Sequence, residues 1–351
     1  MRTFYKRRAQ MKMTIKEIAK LAGVSQATVS KIINNYDDVG LKTKKRVLAI
    51  MDEYGYRPSY SAQSLARKVT KVIGVIYAGK INANFNHPFF VEVVSSFKKT
   101  IGLEGYDLLF FSNEQFNKAD ENYLARCQHY NVDGCIIIGG EEVEPSIYDL
   151  DKSDIPCIGV DIVLSGEKSG YIMTDNNQVS ALAVEHFYLL GQRKIGFIGG
   201  KKDSMISKER FQGFKDVMNT YSLPVNEDWI EFGDFFEESG YIAMKEILNK
   251  PDLPKALFAA SDLMAMGAIK AIKESHLDIY EFSIIGCDDI TASRHIDPPL
   301  TTVKQDKEKI GKMAAYILKD MIKGEINSTV VKIEPELVVR ASCGTQQNQR
   351  A

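Results

Sequence analysis

The hydrophobic rhythm of the chain changes near residue 71. Before that point, apolar residues recur at helical spacing in short groups. Ile15, Ile18, Ala19 and Leu21 give the apolar side of a first helix, and Val29, Ile32 and Ile33 that of a second running from Gln26 to Asn34. Val47, Leu48, Met51 and Tyr54 mark a third, with Thr43 as its expected cap and Gly55 as its close. Thr14-Ile15-Lys16-Glu17 fits a capping box at the first helix start, Gly23 suits a left-handed stop, and Ser25 caps the second helix. Tyr56-Arg57-Pro58 ends the third, because a residue before proline avoids the helical region. The segment from Ser59 to Lys68 has room for only about two helical turns, too few for a helix alone in water, so it is expected to order on a template.

After residue 71 the pattern becomes an alternation of short apolar runs and amphipathic stretches. Val72-Ile73-Gly74-Val75-Ile76 reads as a buried strand, a helix follows from Phe89 to Leu103, and Asp107 to Phe111 reads as the next strand. The motif recurs about 120 residues later, from Lys194 to Ile198 and then a helix around Arg210 to Met218. Such alternation predicts parallel sheets covered by helices, with ligands at the carboxyl ends of the strands. Two such halves make two lobes and one cleft.

Charge sharpens the division. The 351 residues carry a formal net charge of only -1, but residues 1–71 hold sixteen Lys/Arg against five Asp/Glu, and the remainder 29 against 41. A basic head on an acidic body points to one end meeting a polyanion. The five cysteines (Cys127, Cys135, Cys157, Cys287 and Cys343) are widely spaced, which suits buried thiols in a reducing compartment. No apolar run of signal-peptide or membrane-spanning length occurs, so a cytoplasmic protein without membrane contact is expected. The histidines are scattered without metal-ligand spacing, and no cofactor or metal is expected. Gly196 to Lys201 imitates a phosphate loop but is one residue short, and Lys202 stands where a magnesium-binding hydroxyl belongs. An enzymatic reading, such as a sugar kinase, therefore lacks its motif.

Two short helices joined by a tight turn, with polar residues early in the second, form a helix-turn-helix arrangement; a small helical bundle without a DNA role shares that spacing. The residues from Thr14 to Ser25, Thr28-Val29-Ser30, Asn34 and Tyr56-Arg57-Pro58 together resemble the head of the lactose/galactose-repressor family. The resemblance implies that Gln26, Ala27 and, one turn later, Lys31 face base edges in the major groove, while Thr14, Ser25, Thr28, Ser30 and Asn34 hold phosphates. It further implies that Leu65 is an apolar wedge in a minor-groove step and that small Ala62 lets paired hinge helices approach. Ser59 stands where the family usually has Asn, and Lys31 where Arg is common.

The resemblance continues through the body to about Arg340. His87-Pro88-Phe89-Phe90 is similar to the family's first-lobe entry, Glu209 to Phe214 to its arginine motif, Gly233-Asp234-Phe235 to its cleft aromatic, Ile285 to Asp289 to its carboxylate loop, and Leu300 to Gln305 to its crossover. The implied effector site comprises His87, Phe89, Phe90, Asp161, Arg210, Phe235, Ser261, Asp262, Asp288 and Gln305. Carboxylates and a guanidinium take sugar hydroxyls in paired hydrogen bonds, and phenyl faces take sugar C–H groups. Of Phe89 and Phe90, only one is expected to face the cleft. Of Asp288 and Asp289, one is expected to meet ligand and the other to be structural.

The expected fold is thus a small all-α helix-turn-helix head plus a two-lobed α/β body of the periplasmic-binding-protein type. Its expected divisions are a basic extension (1–12), the DNA-binding domain (13–58), a hinge helix (59–70), the effector and dimerisation domain (71–340) and a polar tail (341–351). Lobe 1 is expected at 71–170 and 303–325, and lobe 2 at 171–302 and 326–340. The expected function is a transcriptional repressor working as a homodimer on a near-palindromic operator under the control of a sugar or sugar derivative. Induction and corepression remain equally open, and a sugar-binding protein without regulation is the rival reading.

Overall fold

A computed structural model describes residues 13–34, 36–57, 69–79, 85–112, 122–140 and 143–344. The chain divides into two compact units, Met1–Lys71 and Val72–Ala351.

The first unit contains α1 (Ile15–Ala22), α2 (Gln26–Ile33) and α3 (Leu41–Glu53). Ile18, Ala19, Ala22, Val29, Ile32, Val47 and Met51 interlock as its core. The capping box at Thr14 closes as the sequence requires, with the Thr14 amide donating to Glu17 Oε2 at 2.7 Å. Gly23 takes a φ of 62°, where a side chain would be strained. Four expectations fail here. The third helix starts two residues before Thr43, with Gly40 at its cap and no side-chain bond. Leu21, Leu48 and Tyr54 are exposed rather than buried, since helices of 8 and 13 residues in so small a bundle bury only a narrow stripe.

The second unit holds two six-stranded sheets. The first has the order β11-β5-β4-β3-β1-β2, with β1 Val72–Tyr77, β2 Asp107–Phe111, β3 Gly134–Ile138, β4 Cys157–Val160, β5 Ser169–Thr174 and β11 Val330–Ile333. All of its pairings are parallel. Helices α4 (Pro88–Leu103) and α11 (Lys307–Lys323) cover one face, where Val93, Phe97, Ile310 and Leu318 pack on Ile73 and Ile136. Helices α5 (Tyr123–Tyr130) and α6 (Pro145–Asp151) cover the other through Cys127, Ile147 and Leu150.

The second sheet has the order β12-β10-β9-β8-β6-β7: β6 Ile195–Gly199, β7 Ile230–Phe232, β8 Ala256–Ala259, β9 Ser283–Cys287, β10 Thr301–Lys304 and β12 Glu336–Val338. It is flanked by α7 (Asn176–Leu189), α8 (Met205–Thr220), α9 (Glu237–Leu248) and α10 (Asp262–Glu274) around a core that includes Phe197, Phe214 and Phe258. All five cysteines are free and buried. Among the described residues no helix is long and apolar enough to cross a membrane.

The sheets correct the expected lobe limits. Strand β5 lies whole in the first lobe, past the expected end at 170. Strand β10 belongs to the second, where it pairs in parallel with β9, although the first lobe was expected to resume at 303. Strand β11 adds to the first sheet, Val330 opposite Tyr171, and only β12 returns to the second, antiparallel to β10 with Thr302 opposite Val338. A local apolar pattern marks a strand but not the sheet edge it joins, which long-range pairing decides.

Candidate functional site

A cavity of about 650 Å³ lies between the lobes, at the carboxyl ends of the strands. Lobe 1 contributes the entry of α4. His87 is its N-cap residue, and Phe89 and Phe90 both line the cavity, meeting edge to face at 4.9 Å. The expectation that only one would face inward is corrected: Phe89 is buried yet reaches the cavity from the core. His87 touches the second lobe through Phe236, with ring centroids 5.4 Å apart. Burial lowers the pKa of His87 against the opposing field of Asp288.

Asp161 follows β4 with a φ of 55° and lines the same cavity. Burial pushes its carboxyl up to about 7, against the attraction of Arg210 and with the repulsion of Asp288 and Glu209. A folded pKa above the unfolded value of 3.8 means that the folded protein binds more protons in between. The stability this group contributes is complete below the unfolded value and is lost as pH rises through about 7. His87 runs the other way, its contribution falling away below its ordinary 6.5. Asp161→Asn is therefore expected to flatten the fall in urea midpoint between about pH 4 and pH 7 relative to the parent protein. An unchanged slope would mean that this carboxylate stays well hydrated.

Lobe 2 supplies a buried cation. Arg210 on α8 is buried; its Nε donates to Asn176 Oδ1 at 2.9 Å and one terminal nitrogen donates to the Ala260 carbonyl. Phe235 follows β7 with a φ of 72°, and its ring occupies the space beside Gly200, where an added Cβ would stand 2.0 Å from Cζ. Asp288 follows β9. Its Oδ1 accepts from Gln305 Nε2 at 2.6 Å, while its Oδ2 and Gln305 Oε1 are buried with no hydrogen-bond partner among the described residues. Asp289 turns away: burial alone would raise its pKa, but hydrogen bonds from Arg340 and Arg294 hold it below the usual range.

Two expected site residues stand elsewhere. Ser261 caps α10, accepting from the Met264 amide at 3.1 Å, and its hydroxyl donates to the Phe235 carbonyl at 2.9 Å. Asp262 is fully buried behind the cavity, accepting from the Ile290 amide at 2.8 Å and from the Thr302 hydroxyl. Burial raises its carboxyl well above the ordinary range, with Asp288 adding to the effect. The serine is too short to reach past the helix end it caps, so both residues brace the site from behind. In the other direction, Lys201 to Ile206 line the cavity at the start of α8, where Ser204 caps the helix. The signal for them was a capping serine shortly beyond a strand, just past the segment that fails as a phosphate loop.

In the head, Gln26 and Ala27 are exposed at the first turn of α2. Ser25 accepts from the Thr28 amide at 3.0 Å, and Asn34 donates to the Ser30 carbonyl at 2.9 Å. Lys31 forms an ion pair with Asp38. Ser59, Ala62 and Leu65 lie outside the described residues.

A helix-turn-helix head and a two-lobed cleft body in one chain define a DNA-binding transcriptional regulator. Residues 14–59 match the model of the bacterial regulatory proteins of the lacI family, and residues 184–343 match that of a periplasmic binding protein-like domain. The chain is 35% identical over 333 residues to the HTH-type transcriptional repressor PurR of Actinobacillus pleuropneumoniae serotype 5b (strain L20), covering 94% of this chain and 98% of that protein. Its structure resembles the Lac repressor dimer bound to operator and the anti-inducer ONPF, with a TM-score of 0.81 and 26% identity over 94% of this chain and 99% of that one. The transcriptional regulator CelR in complex with cellobiose gives a TM-score of 0.69 at 27% identity, with the same coverage. The chain belongs to the lacI family of bacterial regulatory proteins.

Proposed function

We propose that this protein is a cytoplasmic transcriptional repressor that grips a near-palindromic operator as a homodimer and is switched by a sugar or sugar derivative in the cleft. The observation that carries the effector assignment is the pair of buried acceptors without a partner among the described residues, Asp288 Oδ2 and Gln305 Oε1, in a cavity also lined by Arg210, Asp161 and three phenyl rings. Buried acceptors without donors cost free energy, and hydroxyl groups supply the donors. The rings of Phe89 and Phe235 suit the C–H faces that a polyol presents. A ligand shifts the DNA equilibrium only through its differential affinity for the two arrangements of the lobes.

In the head, Gln26 and Ala27 are placed to read bases, with Ser25, Thr28 and Asn34 toward phosphates, as in the helix-turn-helix geometry. Lys31 joins them once its pairing with Asp38 is exchanged for DNA. The decisive experiment is retardation of the protein's own upstream DNA in a salt series. Specific binding that weakens steeply with salt, and changes when cellobiose, ribose or another sugar is added, is the expected result. No retardation with or without sugars would overturn the reading. Leu65→Ala is expected to lower specific affinity about tenfold or more and to leave non-specific affinity nearly unchanged. Equal losses in both would show that Leu65 is no wedge.

A further inference from the structure

Lys307 is the first residue of α11, a position where the helix macrodipole disfavours a cation, and it is only 7% exposed. Burying an ammonium group is costly unless acceptors surround it. Its acceptors come from both lobes. Nζ donates to the backbone carbonyl of Asp288 and, at 3.0 Å, to that of Asp289, both in the lobe 2 loop after β9. It also stands 3.7 Å from Glu92 Oε2 on α4, in lobe 1.

The loop it holds is conformationally uphill. Asp288 and Asp289 are consecutive non-glycine residues with φ of 119° and 51°, a combination that persists only where surrounding contacts impose it. That turn presents both carbonyls to one ammonium, sends the Asp288 carboxylate toward the cavity and sends Asp289 to Arg294 and Arg340. On the lobe 1 side, Glu92 lies one turn into the helix whose first turn lines the cavity. Helices α4 and α11 are locked together: a Cβ on Gly311 would stand 2.4 Å from the Val93 carbonyl oxygen, and Ser96 Oγ donates to the Glu308 carbonyl at 2.8 Å. The helix pair therefore responds as one body to a pull on Lys307.

We propose that Lys307 is the positioning residue that couples the two lobes, one ammonium holding the Asp288–Asp289 loop of lobe 2 against the α4–α11 pair of lobe 1. Its regulatory meaning rests on the effector reading above, since Asp288 is the carboxylate an effector meets. Displacement of that carboxylate is then felt directly at α4.

Amide hydrogen exchange on the full-length protein, without ligand, tests the coupling. The amides of Asp288, Asp289 and Ile290 are each hydrogen-bonded, to Val303 O, Thr302 Oγ1 and Asp262 Oδ2, so their exchange reports the loop. Lys307→Met keeps the stem and removes the charge. It is expected to speed exchange about tenfold or more at 288–290 and also at 89–93, leaving strand β6 unchanged. Glu92→Gln alters a half-exposed side chain that the fold does not need. It is expected to speed exchange at 288–290, in the other lobe, by about threefold, in keeping with a weak, partly solvated ion pair. An effect of Lys307→Met confined to 288–290, or spread evenly over the chain, overturns the proposal, as does a silent loop in Glu92→Gln. Should the methionine variant not fold, the glutamine variant decides alone. Failure of the regulator reading would appear separately, in DNA retardation.

Discussion

Arg210→Met is expected to weaken sugar binding in the cleft by about a hundredfold or more and to lower the free energy of unfolding by about 3 kcal/mol. Methionine keeps the apolar stem but stops short of the guanidinium, so the charge and its donors are lost together. Without the guanidinium, Asn176 Oδ1 and the Ala260 carbonyl lose their donors in a buried region. Each unsatisfied acceptor costs about 1–3 kcal/mol. The variant also removes the positive charge that opposes the upward shift of Asp161, which then holds its proton to still higher pH. Urea midpoints give the stability term, and calorimetry with a sugar that binds the parent protein gives the affinity term. Full affinity in a destabilised variant would make Arg210 a brace and not a ligand contact.

Gly200→Ala is expected to separate those two quantities. An added methyl group meets three carbons of the Phe235 ring at 2.0 to 2.5 Å, so the ring must move. The backbone at Phe235 is fixed by its left-handed turn and by the Ser261 hydroxyl on its carbonyl, which leaves rotation of the ring toward the cavity. Sugar affinity should fall about tenfold to a hundredfold as that volume is lost. Stability should change by only about 1–2 kcal/mol, within the usual cost of overpacking at a side chain that yields. A large loss of stability with intact affinity would show that the ring moves into the core instead.

The head and the alternation of the body were legible because both depend on local chemistry. Thr14 and Glu17 cap each other three residues apart, Gly23 stops α1, and each buried strand announces itself within five or six residues. The lobe limits were not legible, because β10 and β11 look alike in sequence and differ only in which distant strand completes their hydrogen bonds. The cleft was legible in part. Asp161, Phe235, Asp288 and Gln305 follow strands at the cleft end, Arg210 lies in the second turn of a helix that starts there, and the structure brings them around one cavity. Ser261 and Asp262 sit at an equivalent strand end, but the helix cap and the buried Thr302 hydroxyl claim their oxygen atoms first. Lys307 carried no signal at all: a lysine in the first turn of an amphipathic helix reads as solvated until the loop carbonyls of the other lobe are seen against it.

The order of the strands also governs how the body can be made. Each sheet receives an edge strand from the far end of the chain, β11 beside β5 and β12 beside β10. On the ribosome, lobe 1 cannot be finished before residue 333 has been synthesised, nor lobe 2 before residue 338, although five of the six strands of lobe 1 exist once residue 174 has emerged. Throughout that interval β5 waits with an open edge, the kind of surface that recruits strands from neighbouring chains. Nascent copies of this protein on one messenger should therefore depend on holding chaperones for most of their elongation. Premature stop codons as late as residue 329 should yield aggregates rather than a soluble half-molecule.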